Sequence, residues 1–166
     1  TTFSTERIGS TRHYAGAFDG ADADARLTNA LSATSAGDTI YLEKAPYTSN
    51  RTISTGLEIV AQGATYNGTE LDAVWTLTAR CRIRGISNAS SSSEIIVDSG
   101  ADASVITLCE FNGSTAITIN DNNVRYVNNS LGDVTFASGT NGGLVDACRG
   151  AAYTDNSGSN TQGDIS

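Results

Sequence analysis

Between Val74 and Ala147 the apolar positions fall in short runs cut by Asn, Gly, Ser and Asp, and the pattern returns at a loose period of roughly twenty residues. Within the runs apolar and polar side chains often alternate, as in Trp75, Leu77, Ala79 and in Ile117, Ile119. Alternation with period two turns one face of a strand inward and the other outward. The runs come in twos. Val74 to Ala79 goes with Cys81 to Ile86, Glu94 to Val97 with Ser104 to Phe111, Ala116 to Ile119 with Val124 to Val127, and Val134 to Phe136 with Leu144 to Ala147. Thr52 to Ser54 and Leu57 to Ala61 supply an earlier turn of the same kind. Thr65 to Asp72 reads as a polar excursion around the turn signal Asn67-Gly68. Strands recurring at this interval predict a solenoid.

One helical pattern precedes the runs. Asp22 or Asp24 caps a helix over about 22–35, with Leu27 and Leu31 on one face and Gly37 closing it. The cluster Asp19, Asp22, Asp24 lacks the spacing and terminal Glu of a calcium loop, so it reads as a cap on a solvated helix start. The chain then divides into three parts. Residues 1–20 form an irregular arm with Phe3, Ile8, Tyr14 and Phe18 scattered along it; residues 21–150 form the strand-rich domain with its helix; residues 151–166 form a polar tail too poor in apolar side chains to fold alone. A solenoid needs both ends covered, and the sequence offers a helix for only one of them.

The opening of the domain carries a resemblance. Asp19-Gly20, Asp24-Ala25, Ala30-Leu31, Gly37 to Leu42 and Pro46-Tyr47 follow the order helix, Gly-Asp, apolar strand, Pro-Tyr. This resembles the start of the right-handed parallel β-helix, or pectate-lyase-like, superfamily, and departs from it at Lys44-Ala45, where that family more often has Pro and Gly. The resemblance implies an all-β fold: a short right-handed parallel β-helix with an N-terminal capping α-helix. A β-sandwich or jelly roll is the alternative, since both use many short strands at regular spacing. Hairpin signals are few, Asn67-Gly68 and Asn141-Gly142 among them. Asn88, Asn112 and Asn129 follow comparable runs. In a parallel solenoid they would stack as a ladder that satisfies turn backbone, although the turn preference of Asn accounts for them equally well.

Composition narrows the setting. The chain has 166 residues, 18 acidic against 10 basic, and a net charge of -8. One domain with a real core is expected at this length. The acidic balance disfavours nucleic acid and anionic membrane as partners, and no apolar run is long enough to span a bilayer. Lys44 is the only lysine. An acidic, lysine-poor, Thr- and Ala-rich chain resembles proteins of haloarchaea and their viruses, where salt screens charge to a few ångströms; an ordinary acidic secreted protein is the plainer reading. Cys81, Cys109 and Cys148 show no metal spacing and read as small buried hydrophobes. The triplets beginning at Asn50, Asn67, Asn88, Asn112 and Asn128 match the N-glycosylation pattern, as chance allows in a sequence so rich in Asn, Ser and Thr.

Candidate chemistry is sparse. Enzymes of the superfamily place carboxylates on the outer face of one sheet beside a cation or a basic residue, and glycoside hydrolysis needs two carboxyl groups flanking the scissile bond. Asp98, Asp102, Asp121 and Asp146, with Arg82, Arg84, Arg125 and Arg149, are the residues available. Asp98, Asp121, Asp146 and Arg125 would be the catalytic set, but most acids fall where turn chemistry alone puts Asp. His13 has no partner base or nucleophile near it in the sequence. No metal site or cofactor motif is present. Arg80, Arg82 and Arg84 alternate and would share a strand face, either binding carboxylate or sulfate groups or pairing with neighbouring acids. Trp75 and Tyr126, if exposed, would stack on sugars.

These readings predict a non-enzymatic virion structural protein of a halophilic tailed virus: a capsid turret, decoration protein, head fibre, or tail fibre or spike. The resemblance implies a homotrimer among other virion proteins, exposed on the particle surface and in contact with a host-cell glycan. The alternatives are a polysaccharide lyase or hydrolase, a passive glycan-binding module, and a secreted rather than virion location.

Overall fold

The computed structural model describes residues 11–61, 69–88, 92–111, 116–130, 132–149, 152–163 and 165. Phe3 and Ile8 of the arm, the Asn67-Gly68 turn and Asn112 lie outside the described residues.

The chain is a parallel β-solenoid of about 5 turns with one helix near its N-terminus. Each coil contributes a strand to up to three sheets. Sheet A holds Arg12–Tyr14, Thr39–Leu42, Glu58–Ala61, Arg82–Arg84, Val105–Thr107, Arg125–Val127, Leu144–Asp146 and Thr161–Gln162. Sheet C holds Arg51–Ile53, Val74–Leu77, Glu94–Val97, Ala116–Ile119, Asp133–Phe136 and Tyr153–Asp155. Sheet B holds Pro46–Tyr47, Glu70–Leu71 and Ser87–Asn88, and single bridges through Glu110, Ser130 and Arg149 extend it. Every described ladder is parallel. That excludes the sandwich and jelly roll, which are built from antiparallel pairs. The two runs of each doublet therefore do not pair with each other. One belongs to sheet C and the next to sheet A, and each bonds its counterpart one coil away.

Parallel register turns the period-two pattern into columns. In sheet A the inward column runs Ile40, Ile59, Ile83, Ile106, Tyr126, Val145. In sheet C one column runs Trp75, Ile95, Ile117, Val134 and another Ile53, Leu77, Val97, Ile119, Phe136. All these side chains are buried. Removing a fully buried aliphatic from such a stack costs roughly 2–5 kcal/mol, because the coils on both sides hold the cavity open.

The corner after sheet A is made by one residue per coil in the left-handed region: Gly85 (φ 80), Leu108 (φ 53), Asn128 (φ 56) and Ala147 (φ 52). Gly and Asn suit that conformation and Leu does not. Inside the same corner Ile86, Cys109, Asn129 and Cys148 stack. Asn129 is the one amide in this column. Its Oδ1 accepts the Cys109 N–H at 2.8 Å and its Nδ2 donates to the Ile106 carbonyl at 2.9 Å. The backbone of Asn88 lies two places further along the coil, in register with Leu71 rather than with Asn129. The three cysteines are buried free thiols.

The helix, α1, spans Ala23–Ser32. Asp22 is its N-cap and accepts the Ala25 N–H at 2.8 Å. It stops short of Gly37, where the Ala33 and Thr34 N–H groups close a tighter last turn on the Ala30 and Leu31 carbonyls and Thr34 Oγ1 also donates to Leu31 O. The supposed irregular arm also contributes structure, since Arg12–Tyr14 is the first strand of sheet A and Ala15–Ala17 a short 3-10 turn. The polar tail likewise joins the stack through Tyr153–Asp155 and Thr161–Gln162.

Candidate functional site

The inward columns decide the fate of two predicted binding residues. Trp75 is 1% exposed and Tyr126 0%. Each occupies an inward position, so neither can stack on a sugar. Trp75 instead makes a T-shaped pair with Tyr47, ring centroids 5.8 Å apart, and lies beneath the Arg51 guanidinium at 5.6 Å. Burial raises the Tyr126 phenol well above its usual pKa.

The four catalytic candidates are not gathered into one site. Asp98 and Asp121 sit in the corners between sheets C and A, where they serve the backbone. Asp98 Oδ1 accepts the Ser99 N–H at 2.8 Å; Asp121 Oδ2 accepts the Gly100 N–H at 2.9 Å and its Oδ1 the Asn122 N–H at 2.8 Å. Asp102, in the same corner, accepts from Asn123 Nδ2 at 2.9 Å. Arg125 and Asp146 lie elsewhere, on the outer face of sheet A. His13 does have an acidic partner: its Nε2 stands 3.2 Å from Asp38 Oδ2. Asp38 is buried and also accepts the N–H groups of Ser35 and Thr11, each at 2.9 Å. Those bonds, that from Ser35 first, hold its carboxyl below the usual range against the opposing effect of burial. The arrangement fastens the first strand to the helix-to-strand turn. Among the described residues no three His, Cys, Asp or Glu side chains gather as metal ligands, and no helix is long and apolar enough to cross a membrane.

The outer faces of the two large sheets differ in chemistry. On sheet C the central outward column reads Thr52, Thr76, Ile96, Thr118, Thr135, Thr154. Carboxylates beside it are engaged locally: Glu94 accepts the Thr118 hydroxyl at 2.6 Å and Asp133 the Ala152 N–H at 3.3 Å. On sheet A the outward columns carry Arg82, Arg84 and Arg125, all exposed. The described ion pairs are His13–Asp38, Arg26–Glu43 and Arg51–Asp24, so none involves these arginines. Arg80 is not part of the strand; it lies in the bend before Cys81 and lines, with Arg82, Glu58, Val105, Gly37 and Gly56, an open depression of about 230 Å³. A second depression, of about 290 Å³, lies between α1 and the Arg51–Ile53 strand. Thr28, Ser32, Thr52, Ser54 and Thr55 line it together with Arg51, whose guanidinium is already committed to Asp24 at 2.6 Å.

The arginine face is thus a surface where several cations stand without described ion-pair partners. Its alternating members Arg82 and Arg84 are visible in the sequence. The contributions of Glu58, Val105 and Arg125 depend on the register between coils, which no local pattern encodes. Comparison with protein-family models, curated proteins and solved structures returned no match.

Proposed function

We propose that the chain is a non-enzymatic structural and adhesion module whose sheet A outer face binds an anionic glycan. The observation that carries this reading is the set Arg82, Arg84 and Arg125, exposed and without described ion pairs on one face of a chain with net charge -8. Selection for a soluble acidic surface would not gather unpaired cations. Planar guanidinium groups take carboxylate or sulfate oxygens through two parallel hydrogen bonds. The enzyme alternative has less support, because Asp98 and Asp121 accept backbone N–H groups in corners rather than flanking a cleft.

The resemblance of the opening segment points to the surface of a virus particle, as a turret, decoration, fibre or spike, and the acidic, lysine-poor composition fits a halophilic setting. A homotrimer among other virion proteins belongs to the same proposal. Tyr14, stacked on Tyr41 at 5.0 Å, and Leu108 supply the exposed large apolar side chains for such contacts. The test is binding to a panel of acidic and neutral polysaccharides, with native mass measured in parallel. The triple variant Arg82→Gln, Arg84→Gln, Arg125→Gln should lose acidic-glycan binding by about a thousandfold, roughly one order for each lost charged contact. Unchanged binding by the folded variant would refute the site, and shortening of an acidic glycan by the wild-type chain would restore the enzyme reading.

A further inference from the structure

The arginine face has a built-in spacing. Adjacent strands of a sheet lie about 4.8 Å apart, and one sugar of an extended β-linked chain advances by a similar length. A glycan lying along the solenoid axis would therefore place about one sugar over each coil. In the first outward column of sheet A the order is Arg12, Thr39, Glu58, Arg82, Val105, Arg125, Leu144, Thr161. Arg82 and Arg125 stand two coils apart, about 10 Å, while Arg12 stands three coils before Arg82. Next to Arg82 and Arg125 stand an acid and two half-buried aliphatic side chains.

The neighbouring column reads Val60, Arg84, Thr107, Val127, Asp146. Its single cation, Arg84, stands beside Arg82, about 7 Å along the same strand. The two form a double prong, and Arg125 forms a single one two coils away. The depression bounded by Glu58, Arg80, Arg82 and Val105 adjoins the prong and gives this end of the face its concavity.

We infer that this face is selective for a polysaccharide in which acidic and neutral sugars alternate. The inference rests on the anionic-glycan reading above. One acidic group sits at Arg82 and Arg84 and the next at Arg125. Neutral sugars lie over Glu58, Val105 and Leu144. A polymer with a carboxylate on every sugar meets this column badly. It sets one carboxylate against Glu58, a like-charge contact, and others over Val105 and Leu144, where burial strips water without supplying a partner. Selectivity thus comes as much from what the column rejects as from what it binds. The Glu58 carboxylate can accept hydroxyl hydrogen bonds from a neutral sugar, which a second carboxylate cannot donate.

The test compares hyaluronan, in which uronate and N-acetylhexosamine alternate, with polygalacturonate and with neutral dextran of matched length, at one fixed ionic strength. The wild-type chain should bind hyaluronan at least about tenfold more tightly than polygalacturonate, the value of one well-made charged contact. Arg125→Gln should lower hyaluronan binding by about tenfold. Val105→Arg should fill the gap and shift preference toward polygalacturonate by about tenfold, and Glu58→Gln should move it the same way without adding bulk. If wild type binds both acidic polymers equally and neither substitution changes the ratio, alternation is wrong while the anionic-glycan face survives. If no acidic polymer binds through Arg82 and Arg84 in a chain shown to be folded, both readings fall.

Discussion

At the N-terminal end of the solenoid, α1 lays Leu27 and Ala30 over the first coil and fastens itself by charge. Asp24 accepts the Thr48 N–H and hydroxyl, the Ser49 N–H and Arg51 Nη2, and Arg26 meets Glu43 through two hydrogen bonds of 2.8 and 3.1 Å. At the other end the last coil changes chemistry instead. The column ending at Phe136 continues into Asp155, and the column ending at Val145 continues into Gln162. Asp155 accepts the N–H and hydroxyl of Ser157 and the N–H and Nδ2–H of Asn160; Asn160 in turn accepts the Gly143 N–H and donates to Thr140. An apolar column can therefore be ended by a separate cover, or by letting its inward positions become polar groups that satisfy one another. The second way needs no helix.

The largest effect expected from breaking this contrast is at the helix. Asp24→Ala leaves Arg51, whose side chain is only 9% exposed, without its partner. Losing one member of a largely buried pair should cost about 3 kcal/mol of global stability in chemical denaturation. Asp155→Ala, by contrast, should reduce amide protection in Leu144–Asp146 and Tyr153–Asp155 while leaving Thr39–Leu42 unchanged. Equal loss of protection at both ends would mean that the ends are not independent.

Acid should act on both ends at once. The Asp155 carboxyl is held below the usual range by its bonds from Ser157, then Asn160. For Asp24 partial burial pulls upward, but Thr48, Arg51 and Ser49 outweigh it and the net shift is also downward. A carboxyl with a lowered folded pKa adds stability above its unfolded value, near pH 4, and that stability is lost as pH falls through the folded pKa. Thermal melts should hold steady from about pH 7 to about pH 5 and then decline, with Asp155→Asn flattening part of the decline. A melt at about pH 3 as high as at neutrality would overturn the assignment.

The smallest effect expected concerns the corner. Leu108 is 52% exposed and left-handed, where its counterpart in the next coil is Asn128. Leu108→Asn should raise stability by about 1 kcal/mol. A loss instead would mean that the exposed leucine makes contacts that matter to folding.

How far the sequence carried differs by level. The coil period, the capping helix and the burial of the cysteines follow from local patterns. The inward positions of Trp75 and Tyr126 were equally legible, because Trp75 alternates with Leu77 and Tyr126 lies between exposed Arg125 and half-buried Val127; reading them as sugar-stacking residues set aromatic chemistry above strand parity. The polar last coil was not legible. Asp155, Ser157 and Asn160 have the composition of a disordered tail, and only closure onto Gly143 and Thr140, 17 and 20 residues before Asn160, gives them partners. Arg80 was misplaced because alternation continues past the point where the backbone bends.

The three buried thiols stand at different heights along the axis: Cys81 just before Arg82–Arg84, Cys109 just after Val105–Thr107, Cys148 just after Leu144–Asp146. Burial raises each thiol pKa, that of Cys109 to about 12, so a closed coil keeps its sulfur from alkylating reagents. Each sulfur is in effect a clock started by the opening of its own coil. The order in which the three react would record the direction in which the chain unwinds, with no label added to the protein.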